Sequence, residues 1–161
     1  MPGQWEFQIG PASTVECADH IILARWLLCR LAEEYECDAT FDPKPARGDW
    51  NGAGCHANFS TKDMRDSYDA CIAACEALST KPVEHVKVYG HGIEDRLTGH
   101  HETQKWDTFS YGVSDRGASI RIPWQVEKDQ RGYIEDRRPN ANCDPYQVTE
   151  IIVDTVCEAA S

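Results

Sequence analysis

The sequence predicts an α+β domain in which an antiparallel sheet is flanked by helices. Three stretches with the features of strands follow one another in the second half of the chain, and only three long helical stretches occur in the whole of it. Consecutive strands without intervening helices favour antiparallel pairing over a parallel sheet. With 161 residues, the chain is long enough for one domain with a substantial core.

Alternating polar and apolar residues predict a strand at the start of the chain, and a capping pattern predicts a helix after it. In residues 4–9 the apolar side chains fall on one side of an extended chain. Ser13 with Glu16 three residues later is a capping box, which begins a helix that we expect to run to about Tyr35. The apolar positions of this helix are too dense for a surface helix, so we expect it to be well buried.

The remaining elements follow from hydrophobic runs separated by glycine, proline and polar segments. A short strand is expected at residues 38–42, and a second long helix from about Thr61 to Leu78. A further strand is expected at residues 85–90, before a loop that contains two glycines. The last elements are three strands and a closing helix, in residues 107–113, 118–123, 131–136 and about 145–159.

The charge balance argues against nucleic-acid binding as the main activity. The chain has a formal net charge of −11, whereas contact with nucleic-acid phosphates requires a basic face. No run approaches the roughly 20 apolar residues of a membrane span, so no membrane partner is expected either. Basic residues nevertheless crowd into the last third, which predicts a local cationic site in an acidic protein. They are Arg116, Arg121, Arg131, Arg137 and Arg138.

Eight cysteines raise the question of disulfides or zinc, but none lies in a CxxC motif. Cys71 and Cys75, four residues apart in a predicted helix, have a spacing that could in principle hold a metal. The first ten residues lack the basic and apolar regions of a signal peptide. We therefore expect free, mostly buried thiols in a reducing compartment, the cytoplasm, with an organelle as the alternative.

The stretch GYIEDRRPNANCDPY places two carboxylates directly before two arginines. In a strand, Glu135 and Arg137 share one face and lie about 6.6 Å apart. This spacing suits a carboxylate that binds a metal beside a guanidinium that binds a phosphate. In the preceding segment Arg121 points away from the predicted core, and Arg116 precedes a glycine that frees the backbone. The alternative is that these are solvated strand charges, which composition alone favours.

The stretch NGAGCHANFS combines two glycines with side chains that bind ions and nucleotides. The glycines allow the backbone to approach a small ligand closely. His56 could ligate a divalent ion, and Asn58 and Ser60 could hydrogen-bond a nucleotide, although a lone histidine is more often structural. The stretch EDRLTGHHET, residues 94–103, has the composition of a polar loop. Its adjacent histidines alternate faces in an extended chain and are a weak indication of a metal site.

Six blocks, in this order, resemble glutamine synthetase of the eukaryotic type: MPGQWEFQIGP, TFDPKP, WNGAGCHANFST, RLTGHHET, RGASIRIP and GYIEDRRPNANCDPY. The resemblance covers essentially all of residues 1–161. It implies the C-terminal portion of a glutamine synthetase/guanido kinase-like catalytic domain, incomplete at its N-terminal side and without the family's N-terminal β-grasp domain. It also implies a glutamate–ammonia ligase, in which ATP phosphorylates the side-chain carboxylate of glutamate and ammonia attacks the γ-glutamyl phosphate. A guanidino kinase shares the general fold but not these motifs.

The resemblance also implies roles for individual residues. It assigns Glu6 to one of two Mg²⁺ or Mn²⁺ sites, and His56 with Glu135 to the other. It assigns Glu102 to a mobile loop that closes over the intermediate and helps to position or deprotonate ammonium. The expected glutamate pocket consists of Asn51, Gly52 and Arg96, the ATP site of Asn58, Ser60, Arg116, Arg121 and Tyr133, and the catalytic set of Glu102, Arg116 and Arg137.

Two functional hypotheses follow from the resemblance. In the first, the chain is the catalytic portion of a working enzyme, which forms the stacked rings of the family or assembles with a complete subunit. In the second, it is a truncated, non-catalytic relative that acts as a structural or regulatory partner. Because half of the family's metal ligands lie in the missing portion, the isolated chain is expected to be inactive. The missing portion is also expected to leave an apolar sheet surface exposed.

Overall fold

The fold is described by a computed structural model, which covers residues 1–159. A four-stranded sheet with the order β1-β4-β3-β2 packs against helices, which confirms the predicted α+β class. A 3-10 turn, Asp63–Arg65, precedes α2. In chain order the elements are α1 (Thr14–Glu34), β1 (Ala57–Phe59), α2 (Tyr68–Thr80), α3 (Pro82–Val88), α4 (Ile93–Arg96), β2 (Tyr111–Val113), β3 (Ile120–Ile122), α5 (Trp124–Asp129), β4 (Ile134–Asp136) and α6 (Pro145–Glu158).

The sheet is mostly antiparallel, as predicted. β4 pairs antiparallel with β1 on one side and with β3 on the other, whereas β2 and β3 pair parallel. The parallel pair departs from the expectation, because hydrophobic alternation identifies a strand but carries no information on its direction. The three strands predicted in residues 107–136 are all found, each shortened to three residues, and β1 was not predicted.

The core lies between the sheet and the helices α2, α3 and α6. The sheet contributes Ile120, Ile122 and Ile134, each at most 1% exposed. Cys71 and Cys75 of α2 lie fully buried in the same cluster. Burial raises the pKa of the Cys75 thiol to about 12, so this cysteine pair packs in the core and is unsuited to bind a metal as thiolates.

Three segments predicted as strands are not strands. Residues 4–9 and 38–42 pair with no other strand in the described part of the chain, because alternation alone does not supply the neighbour that a sheet requires. Residues 85–90 belong largely to α3, which begins at Pro82, a residue favoured in the first turn of a helix. The helix predicted from Thr61 begins later, as α2, and α4 occupies the start of the predicted polar loop.

α1 begins with the predicted capping box and ends one residue before Tyr35, but the prediction that it is buried is wrong. Its single buried residue is Ala18, and Trp26 is 58% exposed. The density of apolar residues marks a surface that requires cover, and residues 1–159 do not provide it. The exposed apolar surface therefore lies on a helix, not on the sheet as expected. This α1 apolar surface consists of Val15, Ile22, Leu23, Trp26, Leu27, Leu28 and Leu31.

Within the described residues, no helix combines the length and the hydropathy needed to cross a membrane.

Candidate functional site

Three polar side chains line up across the sheet, on the face opposite its isoleucine core. Asn58 of β1 and Arg121 of β3 are each directly opposite Glu135 of β4 in the antiparallel ladder. Directly opposed residues project from the same face of a sheet, so all three side chains share that face. Arg121 Nε forms an ion pair with the Glu135 carboxylate. The strand register therefore brings two candidate nucleotide-binding residues to a candidate metal ligand.

The two-residue period of a strand extends this row to His56 and Arg137. His56 lies two positions before Asn58, and Arg137 lies two positions after Glu135. His56 Nδ1 is 2.9 Å from Glu135 Oε1, and Arg137 Nη1 donates to the same oxygen at 3.3 Å. A predicted imidazole ligand, a predicted carboxylate ligand and a predicted phosphate-binding arginine are therefore in direct contact.

Glu135 is held ionised by its neighbours. Its side chain is 6% exposed, and burial alone would raise its pKa. The hydrogen bond from His56, together with the charges of Arg137 and Arg121, outweighs burial and lowers the pKa to about 2. The carboxylate is therefore negative at neutral pH, with cationic groups beside it. Such a site can hold a cation next to an anion.

The other two charges of the IEDRR segment point to the core. Asp136 and Arg138 alternate with Glu135 and Arg137, so they project from the opposite face. Arg138 donates to both carboxylate oxygens of Asp136, from Nε at 2.9 Å and from Nη2 at 2.6 Å, and both residues are buried. Burial opposes ionisation of Asp136, but the charge and hydrogen bonds of Arg138 lower its pKa below the usual range. The four consecutive charges form two ion pairs, one on each face.

A line of buried hydrogen bonds extends from Asp136 to α6. The Tyr89 hydroxyl donates to Asp136 at 2.6 Å, so its oxygen accepts from His85 Nδ1, also at 2.6 Å. His85 Nε2 lies 2.8 Å from the Thr155 hydroxyl. Because the pKa of His85 is lowered to about 4, the ring is neutral at neutral pH, and with its proton on Nδ1 the Nε2 atom accepts from Thr155. Sequence reasoning missed this network, although the alternation of Asp136 with Glu135 indicated that one carboxylate faces inward.

The buried position of His85 predicts acid sensitivity. Burial, with the nearby charge of Arg138, lowers the pKa of His85 from 6.5 to about 4. Between these values the unfolded chain binds a proton that the folded chain does not, so the free energy of unfolding falls as the pH drops. We expect this residue to account for a loss of about 3 kcal/mol across that interval, measured by urea unfolding at a series of pH values.

Other groups also titrate in this interval. The contribution of His85 is therefore isolated by comparing the wild type with the variant His85→Gln. This variant should flatten the dependence of the unfolding free energy on pH between 6.5 and about 4. His20→Gln, at an exposed position on α1, is the matched control and should keep the wild-type slope. Equal slopes in the wild type and both variants would contradict the assignment of His85.

Arg96, at the end of α4, lies against the His56 imidazole. It is 5% exposed, and its guanidinium donates to the carbonyls of Arg137 and Arg138, each at 2.9 Å. Its Nη2 also lies 3.3 Å from His56 Nε2. Arginine can only donate, so Nε2 is the acceptor and Nδ1 carries the proton shared with Glu135. Arg96 thereby fixes the tautomer of His56.

Two glycines keep the loop before β1 close to Arg96. A Cβ at Gly52 would lie 2.6 Å from Arg96 Cγ, and a Cβ at Gly54 would lie 2.3 Å from Arg96 Nη2. Neither position tolerates a side chain without displacing the arginine. Gln4 Nε2 donates to the Gly52 carbonyl at 2.7 Å, which connects the N-terminal segment to this loop. Of the residues expected to bind glutamate, Gly52 contacts Arg96, and Asn51 is exposed at the adjacent position.

The loop of residues 98–103 brings Glu102 into contact with Arg137. The Glu102 carbonyl accepts from Arg137 Nη2 at 3.1 Å, and its carboxylate accepts from Arg116 Nη1 at 3.3 Å. His101 and Glu102 have φ angles of 55° and 59°, a region that residues other than glycine rarely adopt. The three residues expected to be catalytic therefore form one contiguous set next to Glu135.

Three predicted site residues lie apart from this cluster. Glu6 is exposed and makes no side-chain hydrogen bond or ion pair within residues 1–159, because its segment joins no sheet. The Ser60 hydroxyl donates to the Gly132 carbonyl at 2.6 Å, and Tyr133 is exposed at the next position. No group of three or more His, Cys, Asp or Glu side chains in the described part of the chain could hold a metal ion, so Glu6 does not join His56 and Glu135.

Cys55 and Cys143 form a thiol pair beside the site, which sequence reasoning missed. Cys55 precedes His56, and its hydrogen bond with Cys143 lowers the pKa of Cys55 to about 7 and raises that of Cys143. Arg25 of α1 donates to the Cys143 carbonyl at 2.7 Å and lies 3.7 Å from its sulfur. The seven cysteines up to position 143 are free thiols, as predicted. Only three of them are buried, so the expectation of mostly buried thiols is wrong.

The sequence and fold were compared with known proteins. The family model described as "Glutamine synthetase, catalytic domain" matches residues 1–79. The glutamine synthetase of Streptomyces viridochromogenes is 68% identical over 161 residues, which cover 99% of this chain and 47% of the relative. That of Streptomyces hygroscopicus is 65% identical, with 98% of this chain and 47% of the relative covered. A solved structure of Plasmodium falciparum glutamine synthetase matches with a TM-score of 0.71 and 21% identity, over 91% of this chain and 30% of that one.

The chain spans about half the length of the curated relatives that it matches. Because the solved structure is only 21% identical in sequence, its match supports the fold alone. The curated relatives, in contrast, are similar in sequence along almost the whole of this chain, and the six motif blocks lie within the matched region. The chain therefore belongs to the glutamine synthetase family, and it corresponds to the C-terminal part of the catalytic domain of that family.

Proposed function

We propose that the chain is part of an ATP-dependent glutamate–ammonia ligase, which makes glutamine through γ-glutamyl phosphate. The observation that carries the proposal is the contact of His56 and Arg137 with one ionised carboxylate, Glu135. This contact supports a metal site and a phosphate site on the same face of the sheet. Relatives named glutamine synthetase support the enzymatic role, and no observation favours the non-catalytic partner role.

The reaction requires a site that neutralises negative charge. It brings the glutamate carboxylate against a polyphosphate, and like charges about 4 Å apart repel by about 4 kcal/mol at an effective dielectric constant near 20. A bound Mg²⁺ or Mn²⁺ would supply charge neutralisation and Lewis acidity at the phosphoryl oxygens. Arg137 also has a buried Nε–H without a partner in residues 1–159. A phosphoryl oxygen would satisfy this donor.

His56 and Glu135 fit a divalent ion that keeps several of its waters. Mg²⁺ is usually held by one or two carboxylates together with substrate phosphates, and Mn²⁺ accepts similar donors. The two side chains face each other with 2.9 Å between Nδ1 and Oε1, and His56 would become a ligand through Nδ1 only if its ring proton moved from Nδ1 to Nε2. We propose Glu6 as a ligand of a second ion, with its further ligands supplied from outside this chain.

This shift of the proton would release Arg96 for substrate. With its single proton on Nε2, the neutral ring of His56 could no longer accept from Arg96. One N–H of Arg96 would become available to the carboxylate of glutamate. We therefore propose that Asn51, Gly52 and Arg96 form the glutamate pocket, and that Arg96 binds substrate after His56 has given up its Nδ1 proton.

The remaining residues are proposed to handle ATP and the transferred phosphoryl group. Glu102, which accepts a hydrogen bond from Arg116, would close the site over the intermediate and position ammonium. Arg116 and Arg137 would stabilise the phosphoryl oxygens as bidentate donors. On and next to β1, β3 and β4, the nucleotide side would consist of Asn58, Ser60, Arg121 and Tyr133.

We propose that the chain acts in a homo-oligomer or in assembly with a complete subunit, in the cytoplasm or in an organelle, where its thiols stay reduced. The α1 apolar surface supports the assembly. At micromolar concentration the wild type should sediment as more than a monomer, and Trp26→Glu should shift it towards monomer. Trp124→Glu, at an equally exposed tryptophan on α5, should leave the sedimentation unchanged. A monomeric wild type, or equal effects of the two substitutions, would contradict the proposed surface.

The proposed function is tested in a chimera, in which residues 1–161 replace the aligned segment of the Streptomyces viridochromogenes enzyme. Formation of γ-glutamyl hydroxamate from glutamate, hydroxylamine and ATP should be comparable to that of the parent enzyme. Arg137→Ala in the chimera should lower the rate by about 10³-fold, because a guanidinium that stabilises transferred phosphate has an effect of that order. The isolated chain should form no hydroxamate.

The matched control is Arg131→Ala, which removes an exposed arginine of the same region and should keep the activity of the chimera. A chimera that folds and assembles like the parent but forms no hydroxamate would contradict the function. Robust turnover by the isolated chain would show that the ligands present in residues 1–161 suffice, and would overturn the proposal that further ligands come from outside.

A further inference from the structure

We propose that Cys55 and Cys143 are an oxidisable dithiol, which a peroxide converts into an intramolecular disulfide at the edge of the candidate site. The inference goes beyond the proposed ligase function and does not depend on it. It rests on the backbone pairing that brings the two residues together, on the contact of their thiols, and on the position of Arg25.

The backbone holds the two thiols in place. The Cys55 N–H donates to the Pro139 carbonyl at 2.9 Å, and the Ala141 N–H donates to the Ala53 carbonyl at 3.0 Å. These bonds pair the segment before His56 with the segment after Arg138. The Cys143 N–H then donates to the Asn140 carbonyl at 3.0 Å, in a tight turn. This turn returns the chain towards Cys55, whose thiol interacts with that of Cys143.

The surroundings of the pair suit a stepwise oxidation. Cys55 is half-buried and reachable by a small oxidant, whereas Cys143 is 2% exposed. The hydrogen bond with Cys55 and burial raise the pKa of Cys143, and the charge of Arg25, 3.7 Å from the Cys143 sulfur, opposes that increase. Cys17 and Arg96 also face Cys55 and interact with its charge.

The chemistry is balanced with hydrogen peroxide as the oxidant. The Cys55 thiol attacks one peroxide oxygen, which forms a sulfenic acid and releases one water. The Cys143 thiol then attacks the Cys55 sulfur, which forms the disulfide and releases the hydroxyl group as a second water. The two thiols supply both electrons that the peroxide takes up. A disulfide requires sulfurs about 2.05 Å apart, which side-chain rotations from the present contact must provide.

The other free cysteines differ from this pair. Cys29 and Cys37 are exposed, but their thiols contact the carbonyls of Ala39 and Ala32 and no second thiol. Cys71 and Cys75 lie fully inside the core, where an oxidant has no access in the folded chain. Cys55 differs from these four because it is a partly accessible thiol that interacts with a buried one.

The test is oxidation of the 161-residue chain with about equimolar hydrogen peroxide, followed by alkylation, trypsin digestion and mass spectrometry without reduction. Trypsin separates residues 48–62, which contain Cys55, from residues 138–161, which contain Cys143 and Cys157. The expected product is a disulfide between these peptides, with fragment ions that assign the bond to Cys143. It should appear before alkylation is lost at Cys29 or Cys37, and dithiothreitol should reverse it.

Three variants test the assignment of the disulfide to Cys55 and Cys143. Cys55→Ser should abolish the cross-link, and Cys143→Ser should leave a sulfenic acid at Cys55 that dimedone traps. Cys29→Ser is the matched control and should leave the cross-link unchanged. The proposal is overturned if Cys55 and Cys143 both stay alkylatable after Cys29 and Cys37 are oxidised. It is equally overturned if residues 48–62 link to the peptide that contains Cys17.

Discussion

Replacement of Asp136 by asparagine should destabilise the domain by about 3–5 kcal/mol, the range found when one partner of a buried ion pair is removed. Asp136 is fully buried and accepts from Arg138 Nε and Nη2 and from the Tyr89 hydroxyl. Asparagine keeps the size of the side chain but removes the charge, so the Arg138 guanidinium would stay buried without its counter-ion. Urea unfolding at neutral pH measures the loss as a lower midpoint of the transition.

The matched control is Asp107→Asn, which breaks the exposed pair of Asp107 and Lys105. Exposed pairs contribute little, so this variant should unfold like the wild type. In the double variant Asp136→Asn/Arg138→Met, the unpaired charge is gone and part of the lost stability should return. If Asp136→Asn and Asp107→Asn shift the midpoint equally, the inward-facing ion pair does not stabilise the core.

The sequence predicts which residues share the site better than it predicts the strands and helices of the fold. The spacing of Glu135 and Arg137 places both on one strand face, and their contact at 3.3 Å follows from that spacing. His56 reaches the same face because β1 pairs with β4 in one register, which no local pattern in the sequence reveals. The opposite orientation of Asp136 could have been predicted from the same alternation.

Other predictions failed for physical reasons that are specific to each segment. Residues 4–9 alternate like a strand, but no neighbouring strand is available to pair with them. Residues 85–88 carry β-branched valines, yet Pro82 begins a helix that buries His85 and Val86. The apolar residues of α1 indicate a need for burial, but they do not identify what covers them. In each case tertiary context decides the structure, and local sequence does not contain it.

Glu135→Gln should eliminate divalent-ion binding next to His56. Glu135 is the carboxylate that His56, Arg121 and Arg137 all contact, and glutamine keeps its shape while it removes the charge. In the chimera we expect the rate of hydroxamate formation to fall by at least about 100-fold, since loss of even an outer contact of a metal site costs 10- to 100-fold. Glu127→Gln, at an exposed position on α5, is the matched control and should keep the activity.

The pH dependence of this site has a defined sign. Because the folded pKa of Glu135 is about 2, below its ordinary value of 4.5, the stabilising effect of its charge is present above pH 4.5. That effect is lost only as the pH falls towards about 2. A loss of ion binding near neutral pH in the wild type therefore cannot come from protonation of this carboxylate.

The most direct test is Mn²⁺ broadening of the histidine ring signals of the 161-residue chain in NMR spectra, with each of the six histidines assigned by substitution. Substoichiometric Mn²⁺ should broaden His56 first, before His101, which lies beside Asp49, and before the exposed His20. In Glu135→Gln the selective broadening of His56 should disappear. If another histidine broadens first in the wild type, or if His56 broadens equally in the variant, then His56 and Glu135 do not form a shared ion site.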